Sequence, residues 1–169
     1  KHGREAQIIA EEGGAPMAPM LRAVNAIADA VAQAIPERAA DIRIDTLAYH
    51  YTQQPPNTTV PRENVIIRLC DSYNNFARPV TDPSNAPFYQ YLHAWQQLKR
   101  QHQFKLHVWT YYTNFASYLM PHPNWDAFGR NVELFVGDAK LMDGVFAEGT
   151  QTYPSVEMGE MRAWLFHCC

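Results

Sequence analysis

The stretch Lys105-Leu-His-Val-Trp109-Thr-Tyr111-Tyr-Thr-Asn114-Phe-Ala-Ser-Tyr118-Leu-Met-Pro121-His-Pro123 decides the fold. It opens as a short run of β-formers, Lys105 to Val108, and passes into aromatics, an Asn and a Pro-punctuated loop, the way a buried parallel strand ends in a functional mouth. Ring faces interleaved with amide and hydroxyl groups suit a ligand that alternates C–H patches with hydroxyls, as a sugar does. Successive strand residues point to opposite sides, so only part of this set can face one ligand. The competing reading makes Trp109 and Tyr111 caps of a core.

Working outward, the same grammar repeats. Upstream, Ile42 to Tyr49 reads as a strand followed by His50-Tyr51-Thr52 and a polar, Pro-rich loop, Gln53 to Arg62, which contains the formal glycosylation triplet Asn57-Thr58-Thr59. Asn64 to Cys70 is a nearly continuous apolar run of the kind buried on both faces, ending at Asp71. A long irregular segment, Ser72 to Pro87, precedes a helix from Phe88 to Gln101. Downstream, Trp125 to Phe135 has helical spacing, Met142 to Phe146 reads as a fourth strand closed by Glu148-Gly149, and Val156 to Phe166 is helical again. At the start, a polar helix from Arg4 to Glu12 stops at Gly13-Gly14, and Met17 to Ile35 carries one strongly apolar face ended by Pro36.

Four near-continuous strands alternating with helices imply a parallel sheet, doubly wound or barrel. No GxGxxG or Walker loop follows any strand, which weighs against a nucleotide-binding doubly wound sheet and toward a (β/α) barrel. At 169 residues the chain is short for a barrel of roughly 250. It lacks an initiator Met and ends inside an apolar helical pattern, so residues 1–169 are expected to be a single barrel fragment, truncated at both ends and dependent on the missing part of its own barrel for stability.

Bulk numbers remove several function classes. Hydrophobic residues at 47% and charged residues at 18% describe a globular chain, and a net charge of -3 offers no footprint for nucleic acid or an anionic membrane surface. No apolar run approaches the roughly 20 residues of a bilayer span. The three cysteines, with Cys168 and Cys169 adjacent, form neither a disulfide framework nor a CxxC site, so no metal or other cofactor is expected and the compartment stays open.

In such a barrel the reactive groups lie at the carboxyl ends of the strands. Those ends read Tyr49-His50-Tyr51, Cys70-Asp71, Trp109-Thr110-Tyr111 with Asn114, and Glu148. Glycoside cleavage uses two carboxyls, one protonating the leaving oxygen while the other acts as base or nucleophile, and Asp71 and Glu148 are the candidate pair. Each has a structural alternative, Asp71 as a turn residue and Glu148 as a partner of an amide or an arginine. Arg68 inside an apolar strand needs either a partner or a ligand such as a carboxylate.

Four ordered motifs, Leu47-Ala-Tyr-His-Tyr-Thr52, Asn64-Val-Ile-Ile-Arg-Leu-Cys70, Trp109-Thr-Tyr-Tyr-Thr-Asn-Phe115 with Pro121-His-Pro123, and Gly144-Val-Phe-Ala-Glu-Gly149, resemble the signatures of the domain of unknown function 4838 family. The likeness runs from Glu11-Glu-Gly13 and Asn25 to Met161-Arg-Ala-Trp164. That family is regarded as glycoside-hydrolase-like, with a barrel akin to those of α-glucuronidases and β-hexosaminidases. The resemblance implies the C-terminal part of a (β/α)8 TIM-type barrel and a carbohydrate substrate. Catalysis would fall to Glu148 and Asp71, and sugar contacts to Tyr49, His50, Tyr51, Arg68, Trp109, Tyr111 and Asn114.

Two positions depart from the family pattern. Thr110 stands where the motif usually reads Trp-Asp-Tyr, and Tyr73 stands where a Glu is frequent. If either acid is catalytic in the family, this chain lacks it, which keeps a non-catalytic carbohydrate-binding barrel as the alternative. An α/β enzyme for another small polar substrate is the third reading.

Overall fold

The two glycines after the first helix do different work. Gly13 and Gly14 both adopt left-handed backbone, φ 71° and 77°, and a Cβ on Gly13 would come within 2.5 Å of the Asn57 amide, whereas one on Gly14 would meet open space. They end α1 (His2–Glu11) and turn the chain into α2 (Met17–Ala34). The computed structural model describes residues 2–111, 125–137, 141–148 and Trp164. The other elements are β1 (Ile44–Ala48), β2 (Val65–Cys70), α3 (Ala86–Gln101), β3 (Lys105–Tyr111), α4 (Trp125–Val136) and β4 (Gly144–Glu148). The expected final helix, Val156 to Phe166, and the loop holding Asn114 lie outside the described residues.

The four strands are parallel and ordered β1-β2-β3-β4, the α/β alternation read from the sequence. Met17, Leu21 and Ala28 of α2, Phe88, Leu92 and Trp95 of α3, and Phe135 of α4 form one core with Ala48, Val65, Ile67, Leu69, Leu106 and Val108. Those strand residues alternate along their strands and share rungs across them, so α2, α3 and α4 all pack on one side of the sheet. Trp95 is wholly buried and its indole N–H donates to the Gln53 carbonyl at 2.8 Å. Truncating such a side chain to Ala costs about 3–5 kcal/mol.

Two strands start two residues later than expected. β1 begins at Ile44 instead of Ile42, because Arg43 turns back to donate to the Ala40 carbonyl at 2.6 Å. The fourth strand runs Gly144–Glu148 instead of Met142–Phe146, because Asp143 is committed to the start of β3. It binds Lys99, accepts from Lys105 at 3.0 Å and takes the Leu106 N–H at 2.9 Å. Glu148 is thereby the last residue of a paired strand, in register with Tyr111.

The crossover from β1 to β2 has no α-helix and is held by buried polar groups instead. Glu12, fully buried, accepts from the Thr58 N–H at 2.7 Å, the Thr59 N–H at 3.1 Å, both threonine hydroxyls and Arg22. Asn25 donates to the Val60 carbonyl at 2.8 Å and accepts the Arg62 N–H at 3.0 Å. The residues of the formal glycosylation triplet therefore pack on α1 and its glycine turn. The long segment after β2 is ordered in the same way, around Asn85, which accepts the Asn75 N–H at 2.7 Å and donates to the Pro79 carbonyl at 2.9 Å. Among the described residues no helix is long and apolar enough to cross a membrane.

Candidate functional site

The side of the sheet away from the helices carries a different chemistry. The rungs place Leu47, Arg68, His107 and Gly144 side by side, and one turn of the pleat further Cys70, Trp109 and Phe146, with Tyr111 and Glu148 at the carboxyl edge. Arg68 pairs with Asp45 and lies over the Phe146 ring, 5.9 Å from its centroid. This answers the question posed by a charge in an apolar strand: the partner is a neighbouring side chain on the same open face. Burial, and then the Arg68 charge, holds the His107 imidazole below its ordinary pKa, and Gly144 leaves the room in which that ring sits, its added Cβ coming within 3.1 Å.

At the edge, the Trp109 indole N–H donates to Glu148 Oε2 at 2.9 Å, and the Trp109 and Phe146 rings meet at 4.2 Å between centroids. A carboxylate is thus oriented beside two aromatic faces, all projecting from the open side. Tyr111 shares that side and contacts the Phe76 ring edge-on at 6.2 Å. Burial raises the Tyr111 phenol pKa and pushes the Cys70 thiol up to about 12, with Asp71 and Glu148 adding to the latter. Neither is a nucleophile at neutral pH.

Asp71 belongs to the other side. It follows Cys70, its N–H bonds the Trp109 carbonyl at 3.1 Å, and its Oδ2 accepts from the Thr110 hydroxyl at 2.6 Å. Thr110 alternates with Trp109 and Tyr111, so Asp71 and Thr110 project toward the helices while Glu148 projects away from them. Asp71 is fully buried, and that desolvation raises its pKa to about 7 against the lowering effect of the Thr110 hydrogen bond. Its Oδ1, the Ser72 hydroxyl and the Asn74 amide nitrogen are buried and have no hydrogen-bond partner among the described residues.

The third cluster follows β1. His50 adopts φ 53°, left-handed backbone that a non-glycine residue enters only under constraint. The constraint is Thr52, which accepts the Tyr49 N–H at 3.0 Å and donates to the Tyr49 carbonyl at 2.8 Å. The His50 ring meets Tyr49 at 3.7 Å and Tyr73 at 4.5 Å between centroids, and its Nδ1 shares a hydrogen bond with the Tyr73 hydroxyl. Tyr51 stands exposed in the same turn.

Of the nominated residues, Glu148, Trp109 and Tyr111 come together on the open side of the edge, Arg68 lies below them on the same face, and Tyr49 and His50 form a neighbouring cluster. Asp71 is turned away, and Asn114 lies outside the described residues. Phe146 and Tyr73 were not nominated. Phe146 could have been found by counting back two residues from Glu148 along a strand, which keeps to one face. Tyr73 enters through a long loop whose path no periodicity reveals. Among the described residues no group of three or more His, Cys, Asp or Glu side chains is placed to hold a metal ion.

A family model described as a domain of unknown function (DUF4838) matches residues 1–167. No curated protein and no solved structure matches the chain.

Proposed function

Since the chain belongs to the DUF4838 family, whose description assigns no activity, we propose from the open edge itself that it is part of a (β/α)8-type barrel that binds a carbohydrate and hydrolyses a glycosidic bond through Glu148. The observation that carries this reading is the Trp109 to Glu148 hydrogen bond, which fixes a carboxylate against the Trp109 and Phe146 faces on the side of the sheet opposite the described helices α2, α3 and α4.

Two features of the sheet support the barrel. A doubly wound sheet has helices on both faces and reverses its strand order, whereas this one is wound in a single direction with α2, α3 and α4 on one side. The stagger is informative too. Counted along the hydrogen-bonded rungs, the strand starts climb three residues from Ile44 to Gly144, and the ends climb three from Ala48 to Glu148. That is one residue per strand step, the rate at which eight strands accumulate the shear of eight found in such barrels. Arg68, Asp45 and His107 are then lining groups of its interior.

Asp71 serves as a positioning group: through Thr110 it joins the ends of β2 and β3 behind the edge that presents Glu148. Its orientation also favours a second reading, a carbohydrate-binding barrel without hydrolysis, because it leaves Glu148 as the one nominated carboxylate on the open side of the edge. Glu148→Gln in the intact protein separates the two. Hydrolysis predicts a turnover loss of about a hundredfold or more with saccharide affinity retained. A wild type that binds glycans and cleaves none selects the second reading.

A further inference from the structure

Besides the Trp109 and Phe146 pair, the carboxyl edge carries a second set of rings, in which Tyr73 joins Tyr49 and His50. We propose that Tyr49, His50 and Tyr73 form a second sugar platform, so that the ligand is an oligosaccharide of two or more residues lying along the edge, not a monosaccharide. The inference rests on the carbohydrate reading above and extends it by the size of the ligand.

The placement follows from the register. Ala48 pairs with Leu69, so the next rung aligns Tyr49 with Cys70, which pairs with Trp109, which pairs with Phe146. Tyr49 and Trp109 are two strand spacings apart, about 10 Å, more than a single pyranose ring spans. Between them stands Cys70, the smallest side chain of the rung and a buried one, so the interval is bridged without a charged group.

The rings are presented, not packed away: Tyr49 is 38%, Tyr73 69% and Phe146 40% exposed. Exposed aromatic clusters on a folded domain mark binding surfaces. The backbone supplies an independent sign. His50 is held at φ 53° by Thr52, and in that conformation its ring touches Tyr49 on one side and Tyr73 on the other. Left-handed backbone at a non-glycine residue is a strained state of the kind that gathers at ligand clamps and binding sites. Ring faces joined by an imidazole and two phenol hydroxyls offer a pyranose stacking area and hydrogen-bonding groups together.

The test is calorimetric titration of the intact protein with cello-, chito- and xylo-oligosaccharide ladders of one to four residues, using wild type, Tyr73→Ala and Tyr73→Phe. In at least one ladder, wild-type affinity should rise about tenfold or more between one residue and three. Tyr73→Ala should abolish that gain and leave monosaccharide affinity unchanged, while Tyr73→Phe, which keeps the ring and loses the bond to His50, should retain part of it. Circular dichroism establishes that each variant is folded, and His50→Gly, which accepts the same backbone, replaces any that is not. Affinity independent of ligand length, or a length gain untouched in folded Tyr73→Ala and His50→Gly, overturns the second platform alone. No binding at any length removes both this inference and the carbohydrate reading beneath it.

Discussion

Asp71 and Glu148 stand at the same edge of the sheet and leave it on opposite sides. Each is fixed by a neighbour on β3: Asp71 by the Thr110 hydroxyl at 2.6 Å and Glu148 by the Trp109 indole at 2.9 Å. Since Trp109 and Thr110 are consecutive on one strand, the two carboxyls are separated by the sheet itself. A facing acid and base cannot be made from this pair without a change in β3. Their environments differ as well, one enclosed and the other beside exposed rings.

The enclosed carboxyl makes stability depend on pH. Folding raises the Asp71 pKa from 3.8 to about 7 through burial, so the folded state holds a proton that the unfolded chain has released. Stability from this group is complete below about pH 4 and is lost as pH rises toward 7. Asp71→Asn should flatten that slope and stabilise the protein at pH 8 by about 1–3 kcal/mol. Urea unfolding at pH 5 and pH 8 measures it, and an equal slope in both proteins would show that Asp71 ionises freely.

Glu12 acts with the opposite sign. Hydrogen bonds from Thr59, Arg22 and Thr58 outweigh its burial and hold its carboxyl well below the usual carboxylate range. Its contribution is present above about pH 4.5 and fades as pH falls through the folded value. Glu12→Ala leaves several donors unsatisfied and should cost about 2–4 kcal/mol at pH 7. The loss should shrink in acid, and chemical denaturation at pH 7 and pH 3 provides the comparison.

The glycine pair allows strain to be divided. Ala at Gly14 incurs only the left-handed backbone penalty, about 1 kcal/mol, because nothing lies near its Cβ. Gly13→Ala adds a collision with the Asn57 side chain and should be the more damaging by about 1 kcal/mol or more. Thermal midpoints of the two variants should differ accordingly, and equal midpoints would mean that the loop of Asn57 yields freely.

Trp109→Phe keeps a ring face and removes one N–H donor from Glu148. Loss of a hydrogen bond to a charged group is worth about 1.5 kcal/mol, so turnover should fall about tenfold while saccharide affinity stays near wild type. A combined fall in affinity and turnover would instead assign the indole to ligand stacking.

Much of this architecture is legible in the chain. Apolar runs at Val65 to Cys70 and Lys105 to Val108, with helical spacing between and after them, announce a parallel sheet before any coordinates. What they do not encode is which end residue faces which way. The sequence places Asp71 and Glu148 each at a strand terminus, and position alone makes them look equivalent. Only the register reveals that a one-residue offset puts them apart. Boundaries failed where a side chain turned back on its own backbone or neighbouring strand, as at Arg43 and Asp143. Arg68 was visible as an anomaly, but its partner Asp45 is 23 residues away and is identified only by strand pairing.

The climb of the strand ends bears on the shape of the edge. In a barrel the hydrogen-bonded rungs run oblique to the axis, so termini that rise one residue per strand step along those rungs stay near one level. The ends from Ala48 to Glu148 then make an even rim, and a ligand lying across it meets groups from successive strands at a common height.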